Sequence, residues 1–148
     1  MILLIEDDLV DAMTVKRALD DAGGLSSLVH VASAESGLAY LRSEVNEKPY
    51  LILLDLNMPR ISGLEFLKAV KADPAISGIP VVVVTTSASH DDISDSFKAS
   101  VAGYVTKPVD YAQFVEKIRA IEQYWQINRL PGDEWEAYDA GLRTHPVG

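Results

Sequence analysis

The chain carries the stretch LILLD at residues 51–55, in which four consecutive apolar residues lead directly to a carboxylate. The stretches ILLIE at 2–6 and VVVVT at 81–85 have the same form, an apolar run that stops at a polar side chain. Continuous apolar runs of this length are typical of strands buried on both faces, as in a parallel sheet covered by helices. Weaker patterns at 28–32 and 104–106 predict two further strands, so we expect five in all.

Segments with helical periodicity separate the predicted strands. The helices are expected over residues 9–22, 33–42 and 62–73, and onward from residues 89 and 110. Ser62 and Glu65 have the spacing of a capping box, which marks the first turn of the third helix. In the fourth helix, Ile93, Phe97 and Val101 are expected to lie on one face. Strands and helices thus alternate, which predicts a doubly wound α/β sheet with right-handed crossovers.

Composition bounds the function before any motif is considered. The chain has 148 residues, enough for one domain, and its formal net charge of −9 disfavours binding to nucleic acid. It contains no cysteine, which excludes disulfides, thiolate metal sites and cysteine nucleophiles. Its apolar runs are too short to cross a bilayer and no secretion signal opens the sequence, so we expect no membrane contact and a cytoplasmic location.

The alternating pattern stops after Leu130 and Pro131. The tail at 131–148 is mostly polar and acidic, but it includes Trp135 and Tyr138. We therefore expect residues 1–127 to form the domain. The remainder is expected to be a C-terminal extension or arm, too short to be an output domain.

Polar side chains follow the predicted strands at the edge where an open α/β sheet binds its ligands, outside the carboxyl ends. They are Glu6, Asp7, Asp8, Asp55, Asn57, Thr85, Thr86, Ser87 and Lys107. Clustered carboxylates repel one another unless a cation lies among them, and a site of oxygen ligands suits Mg²⁺. An ammonium and a hydroxyl suit phosphoryl oxygens, and a carboxylate can be the nucleophile that forms an aspartyl phosphate. The pattern predicts metal-assisted phosphoryl transfer onto an aspartate.

Sequence motifs at these strand ends resemble those of a known family. They are IEDD at 5–8, LDLNMP at 54–59, Gly63, VTTS at 84–87 and GYVTKP at 103–108. In this order and spacing they make the chain similar to the receiver domain of response regulators in two-component signalling, from residue 2 to about residue 127. The resemblance implies the flavodoxin-like (βα)5 fold of that family, a parallel sheet with strand order 2-1-3-4-5.

The resemblance also implies a role for residues of the site. Asp55 would accept the phosphoryl group. The implied Mg²⁺ ligands are Glu6, Asp7, Asp55 and the backbone carbonyl of Asn57. Asp8 fits a helix N-cap better than a metal ligand. Asn57 and Ser87 lie at two positions that vary in the family and modulate the lifetime of the phosphoryl group.

Three further residues complete the implied machinery. Thr85 would bond the incoming phosphoryl group, and Lys107 would pair first with the carboxylates and then with that group. Tyr104 corresponds to the aromatic switch residue that turns inward when the Thr85 hydroxyl is recruited. The peptide bond between Lys107 and Pro108 is expected to be cis, as is usual in the family.

The implied phosphoryl donor is a partner histidine kinase. The segment 121–131 is similar to the end of small response regulators paired with bacterial and cyanobacterial phytochromes, which implies a light-sensing kinase. We expect a single-domain response regulator whose output is protein–protein interaction or onward transfer in a phosphorelay. It would not be an enzyme beyond the self-catalysed modification of Asp55 and its reversal.

Two alternatives stay open. An aspartyl-phosphate phosphatase usually needs a second acid two residues after its nucleophile, where this chain has Asn57. A phosphorylation-independent interaction module would have no use for an intact acidic pocket. A P-loop nucleotide enzyme is excluded because the sequence has no G-x-x-x-x-G-K-[ST] motif.

The fifth predicted helix carries more apolar surface than one buried stripe requires. The residues expected to pack on the sheet are Phe114, Ile118, Ile121 and Trp125. Other apolar residues lie on another side or past the end of the sheet, and an exposed apolar patch usually marks an interface. We predict a homodimer built on the fourth helix, fifth strand, fifth helix and extension; the alternative is an extension folded back on its own domain. The predicted interface residues are Tyr124, Trp125, Ile127, Leu130 and Trp135.

Overall fold

The computed structural model describes residues 1–128. Strands and helices alternate in the order β1 (Ile2–Ile5), α1 (Leu9–Asp21), β2 (Leu28–Val31), α2 (Ala34–Arg42), β3 (Leu51–Leu54), α3 (Gly63–Ala72), β4 (Val81–Thr85), α4 (His90–Lys98), β5 (Gly103–Thr106) and α5 (Tyr111–Ile127). The strands form a parallel sheet in the order β2-β1-β3-β4-β5. The predicted fold class and strand order are confirmed. The predicted extension lies, from residue 129 onward, outside the described residues.

The register of the central strands decides which side chains meet at the carboxyl edge. Ile5 of β1 lies opposite Leu54 of β3, and the Ile5 carbonyl accepts a hydrogen bond of 3.1 Å from the N–H of Asp55. On the other side of β1, the N–H of Glu6 donates to the carbonyl of Val31 at 3.1 Å. Glu6 and Asp55 therefore leave neighbouring strands at the same level of the sheet.

Helices cover both faces of the sheet, so the central strands are buried throughout. On one face, Leu4 and Leu53 pack with Val15 of α1 and with α5. On the other face, Leu54 and its neighbours pack with Phe66 of α3 and with α2. Because successive strand residues point to opposite faces, both sets must be apolar. This two-sided burial is the physical reason for the unbroken apolar runs.

Polar side chains cap each helix at its N-terminus. The carboxylate of Asp8 accepts a hydrogen bond of 3.0 Å from the N–H of Asp11 and so caps α1, as predicted. Ser62 accepts from the N–H of Glu65 at 3.2 Å, which confirms the predicted start of α3. The other N-caps are Ser33, Ser89 and Asp110. Each cap satisfies an N–H that has no partner within its helix.

The prediction that Ile93, Phe97 and Val101 share one face of α4 is wrong. Phe97 is 53% exposed, and the fully buried residue of α4 is Ser96. Val101 is buried, but it lies beyond the helix, because Ser100 adopts a left-handed conformation with a φ of 69°. That turn breaks the helical phase, so the four-residue spacing between Phe97 and Val101 does not place them on one face.

The fifth helix packs as the sequence predicts. Phe114 and Ile118 are buried against the sheet, and Ile121 and Trp125 pack at the margin of the same core. Among the helices of residues 1–128, none has the length and apolar character needed to cross a membrane.

Candidate functional site

Three carboxylates meet at the carboxyl edge of the sheet. Glu6 and Asp7 follow β1, Asp55 follows β3, and each offers an oxygen within 4.8 Å of the others. Glu6 and Asp55 are buried, whereas Asp7 is exposed. The N–H of Asp8 donates to Oε1 of Glu6 at 3.1 Å, which orients the Glu6 carboxylate. A cluster of oxygen ligands that is open on one side fits a hard divalent cation with bound waters.

Lys107 reaches into this cluster from the end of β5. The N–H of Lys107 donates to the carbonyl of Thr85 at 2.7 Å, which extends the β4–β5 ladder and aims the side chain across the edge. Its Nζ lies 3.1 Å from Oε2 of Glu6 and 4.0 Å from Oδ2 of Asp55. A third carboxylate, Asp11, lies 3.7 Å away. The carboxylates around Lys107 thus outnumber its single charge, which leaves negative charge for a cation to neutralise.

Sequence reasoning did not single out Asp11. It lies in the first turn of α1, three residues after the N-cap Asp8. No sequence pattern points to it, because its contact with Lys107 joins two distant parts of the chain.

Thr85 and Asn57 form the opposite wall of the site. The Thr85 hydroxyl is fully buried and accepts from the Asn57 side-chain amide at 3.4 Å. The backbone N–H of Asn57 donates to Oδ1 of Asp55 at 3.2 Å. An amide that donates to Thr85 at this position cannot act as an acid, which argues against the phosphatase alternative.

Ser87 connects the site to its surroundings, a connection that the sequence did not reveal. Its N–H donates to Oγ1 of Thr85 at 3.4 Å, and its carbonyl accepts from the Tyr104 hydroxyl at 2.8 Å. Its own hydroxyl donates to Oδ2 of Asp92, in the first turn of α4, at 2.5 Å. One residue therefore joins β4, β5 and α4.

Gly63 lets α3 begin directly against the end of β3. A Cβ at this position would collide with the backbone carbonyl of Asp55 and lie 2.6 Å from Cα of Leu56. The N–H of Gly63 donates to the Leu56 carbonyl at 3.2 Å and closes the intervening loop. Only a glycine at position 63 allows α3 to approach the backbone that carries Asp55 this closely.

Burial is the main reason why the pKa of Glu6 is raised from 4.5 to about 7. A hydrogen bond with Asp55 and the charge of Asp55 also raise it, whereas the Lys107 ammonium and the N–H of Asp8 oppose the shift. Burial of this carboxyl thus opposes its charged form. A divalent cation held by the cluster would favour the charged form.

The cis peptide bond expected before Pro108 is not found. Within residues 1–128 every peptide bond is trans, including the one between Lys107 and Pro108. A trans bond is the intrinsically favoured state before proline, by about 0.5–1 kcal/mol. The trans geometry already places Nζ of Lys107 3.1 Å from Glu6, so the contact of this side chain with the acidic cluster does not require the cis form.

The predicted interface residues fall partly within the described chain. Tyr124 is 56% exposed and Ile127 is 82% exposed, whereas Trp125 is half-buried with its ring edge-on to Tyr124. Tyr124 and Trp125 line a groove of about 580 Å³ between β5 and α5. Leu130 and Trp135 lie outside the described residues.

Fold and site together define a class of protein. It comprises doubly wound α/β proteins with an acidic pocket, a lysine and a hydroxyl at the carboxyl edge of a parallel sheet. The family model of the response regulator receiver domain matches residues 2–119, and the chain belongs to this family. It is a receiver-domain response regulator, and phosphorylation-dependent signalling is consistent with this family.

Known proteins resemble the chain over most of its length. The probable methanogenesis regulatory protein FilR2 of Methanothrix harundinacea is 34% identical over 136 residues, which cover 89% of this chain and 88% of the relative. Response regulator Rcp1 of Synechocystis sp. is 34% identical over 129 residues, 84% of this chain and 88% of the relative. Both relatives are of similar length to this chain.

Solved structures share the fold closely. The phosphorylated cyanobacterial phytochrome response regulator RcpA superposes with a TM-score of 0.81 at 37% identity, over 88% of this chain and 97% of the other. The Mn²⁺-bound form of Rcp1 superposes with a TM-score of 0.78 at 34% identity, over 88% of this chain and 98% of the other.

Proposed function

We propose that Asp55 accepts a phosphoryl group from a phosphohistidine of a sensor histidine kinase, with Mg²⁺ held by Glu6, Asp7, Asp55 and the backbone carbonyl of Asn57. The observation that carries this proposal is the convergence of Glu6, Asp7 and Asp55 within 4.8 Å, with Lys107 among them. The Mn²⁺-bound neighbour supports a divalent ion at such a pocket.

The transfer needs few protein groups. An oxygen of Asp55 attacks phosphorus, the P–N bond of the phosphohistidine breaks, and the bonding electron pair stays with the imidazole nitrogen. Lys107 pairs with an equatorial oxygen of the transferring group, and the Thr85 hydroxyl donates to another. Mg²⁺ held by the acidic cluster would supply further positive charge to neutralise the transferring group. Water later hydrolyses the acyl phosphate, which regenerates the Asp55 carboxylate and releases inorganic phosphate.

An exposed apolar surface beside the site supports a protein donor. Leu9, Val10 and Met13 of α1 are each more than 60% exposed, and Val109 directly follows Lys107 and Pro108. Apolar side chains left open next to a reactive carboxylate suit the docking of a helical partner.

The partner kinase is proposed to be a phytochrome-type light sensor. The support is the similarity to the cyanobacterial phytochrome response regulator RcpA, together with the segment at 121–131. FilR2, at the same identity as Rcp1, is described as a methanogenesis regulator, so phosphotransfer from a panel of labelled kinases is the deciding experiment. The proposed location is the cytoplasm, with no membrane partner, and the formal charge of −9 argues against a nucleic-acid partner.

The signalling form is proposed to be a homodimer built on α4, β5, α5 and residues 128–148, with residues 1–127 as the domain. Exposure of Phe97, Tyr124 and Ile127 supports this face. Thr85 and Tyr104 would transmit the modification, since both contact Ser87. Output would be protein–protein interaction or onward phosphotransfer.

The assignment of Asp55 is tested by chemical phosphorylation. The protein is incubated with acetyl phosphate and Mg²⁺, and the modified residue is mapped by mass spectrometry. We expect labelling at Asp55 alone, its loss in Asp55→Asn, and full labelling in the control Asp95→Asn, an exposed residue of α4. Undiminished labelling of Asp55→Asn would refute the assignment.

A further inference from the structure

We propose that Asp11 is a positioning residue that holds the Lys107 ammonium toward α1, away from Asp55, and thereby slows phosphoryl transfer. This inference rests on the proposed function, because it concerns the lysine that serves Asp55. It adds to the site a residue that does not touch the phosphoryl group and acts through another.

The distances around Lys107 carry the inference. Its Nζ lies 3.1 Å from Glu6, 3.7 Å from Asp11 and 4.0 Å from Asp55. The phosphoacceptor is thus the most distant of the three carboxylates. The Lys107 side chain is 12% exposed, so water screens these ion pairs less than it screens pairs at an open surface.

The short side chain of Asp11 keeps its carboxylate close to α1, whereas Lys107 has the longer reach. The backbone of Asp11 is fixed in the first turn of α1, where its N–H donates to the N-cap Asp8 at 3.0 Å. The positive end of the helix dipole also favours a carboxylate there. The lysine, by contrast, has a long and flexible stem, so the ammonium is the group that moves.

A phosphoryl group at Asp55 requires Lys107 to turn toward it. Every contact that the ammonium keeps with Asp11 opposes this turn. Glu6 exerts a similar pull, but it belongs to the metal cluster and cannot be changed without disturbing that cluster. Asp11 has 48% of its side chain exposed and lies outside the metal cluster, so it can be changed separately.

The test compares three variants of the full chain with the wild type in Mg²⁺. Asp11→Asn removes the charge at nearly constant shape, and Asp11→Glu retains it. Asp20→Asn is the matched control, since it removes the same charge from an exposed site in the same helix. Initial rates of Asp55 phosphorylation are measured with acetyl phosphate and with the less negatively charged phosphoramidate. Thermal unfolding of each variant shows that the rates come from folded protein.

We expect Asp11→Asn to be phosphorylated about two- to fivefold faster than the wild type, by the same factor with both donors, as the loss of one partly exposed ion pair predicts. Asp20→Asn and Asp11→Glu should react at the wild-type rate. Equal rates for Asp11→Asn and Asp20→Asn, or a fast Asp11→Glu, would overturn the inference. A faster rate of Asp11→Asn with acetyl phosphate alone would also overturn the inference. It would show that Asp11 acts by repelling the more negatively charged donor and not through Lys107. A wild type that neither donor labels would overturn the proposed function as well.

Discussion

The Tyr104 hydroxyl donates a hydrogen bond of 2.8 Å to the carbonyl of Ser87. Ser87 in turn donates to Thr85 through its N–H and to Asp92 through its hydroxyl. Thr85 and Tyr104, the proposed switch residues, are therefore both hydrogen-bonded to Ser87 when no phosphoryl group is present. Ser87 also contacts Asp92 of α4, so a change at Thr85 has a short route out of the site.

Removing the Tyr104 hydroxyl should weaken this route. Tyr104→Phe keeps the half-buried ring but loses the bond to Ser87, so we expect about 1 kcal/mol less stability. Phosphorylation of Asp55 should still occur, and the NMR shifts that it causes at Asp92 and its neighbours should shrink. Tyr40→Phe is the control. The Tyr40 hydroxyl also donates to a backbone carbonyl, that of Glu47 at 3.2 Å, but in an exposed position. Unaltered shifts at Asp92 in Tyr104→Phe would contradict the route.

Substitutions of Asp7 and Asp8 should impair two different properties. Asp7→Asn removes a member of the metal cluster, so Mg²⁺ binding should fall by tenfold or more while stability is kept. Asp8→Ala removes the N-cap of α1, so stability should fall by about 1 kcal/mol while Mg²⁺ binding is kept. NMR titration with Mg²⁺ and urea unfolding measure the two quantities. Equal losses of Mg²⁺ binding in both variants would show that the cluster is wrongly assigned.

The metal-free protein should lose stability as the pH rises from about 4.5 to about 7. The pKa of Glu6 is raised to about 7, above its ordinary 4.5, mainly by burial. Between these values the folded state binds more protons than the unfolded state, so the free energy of unfolding falls with rising pH, by up to about 3 kcal/mol. Urea unfolding in EDTA should show this slope. The slope should vanish in Glu6→Gln and diminish in saturating Mg²⁺; an equally steep slope in Glu6→Gln would contradict the assignment.

A side chain at Gly63 should disturb both the fold and Asp55. Gly63→Ala would bring a Cβ to 2.6 Å from Cα of Leu56, where only the backbone can give way, and should cost about 1–3 kcal/mol. Gly103→Ala is the matched control, because the nearest atom to its Cβ is 3.6 Å away. Urea unfolding compares the two, and the phosphorylation rate of Gly63→Ala should also fall. Equal stability of the two variants would contradict the close approach.

The proposed dimer should depend on the end of α5. Ile127 is 82% exposed, and Ile127→Ser should weaken self-association while leaving stability nearly unchanged. Val45→Ser replaces an aliphatic side chain that is 93% exposed elsewhere and should have no effect. Light scattering at micromolar concentration, with and without beryllofluoride, measures the mass. A monomeric wild type in both states would refute the dimer, and an unchanged dimer after truncation behind Gln123 would refute the arm.

Some features of this chain could be predicted from sequence because each depends on a local pattern. The run at 51–55 marks a strand buried on both faces, and the polar residue at its end marks the ligand edge. The contact of Lys107 with Asp11 could not be predicted in the same way, since it joins residues 96 positions apart through the flexible stem of a lysine. The shared face of α4 was wrongly predicted because Ser100, rather than a glycine, takes the left-handed turn.

Because α4 buries little apolar surface, we expect it to unfold locally before the sheet does. Ser96 is the residue that α4 buries fully, and its hydroxyl is satisfied within the helix by the carbonyl of Asp92 at 2.7 Å. Local unfolding of a helix costs free energy in proportion to the apolar contacts that it gives up, so α4 should open at far lower cost than the sheet. Its amides should exchange with solvent through such openings, long before those of β1 and β3. A signal that acts on α4 then has only to shift the equilibrium between the closed and the locally unfolded helix. The rest of the domain can stay folded each time the signal acts.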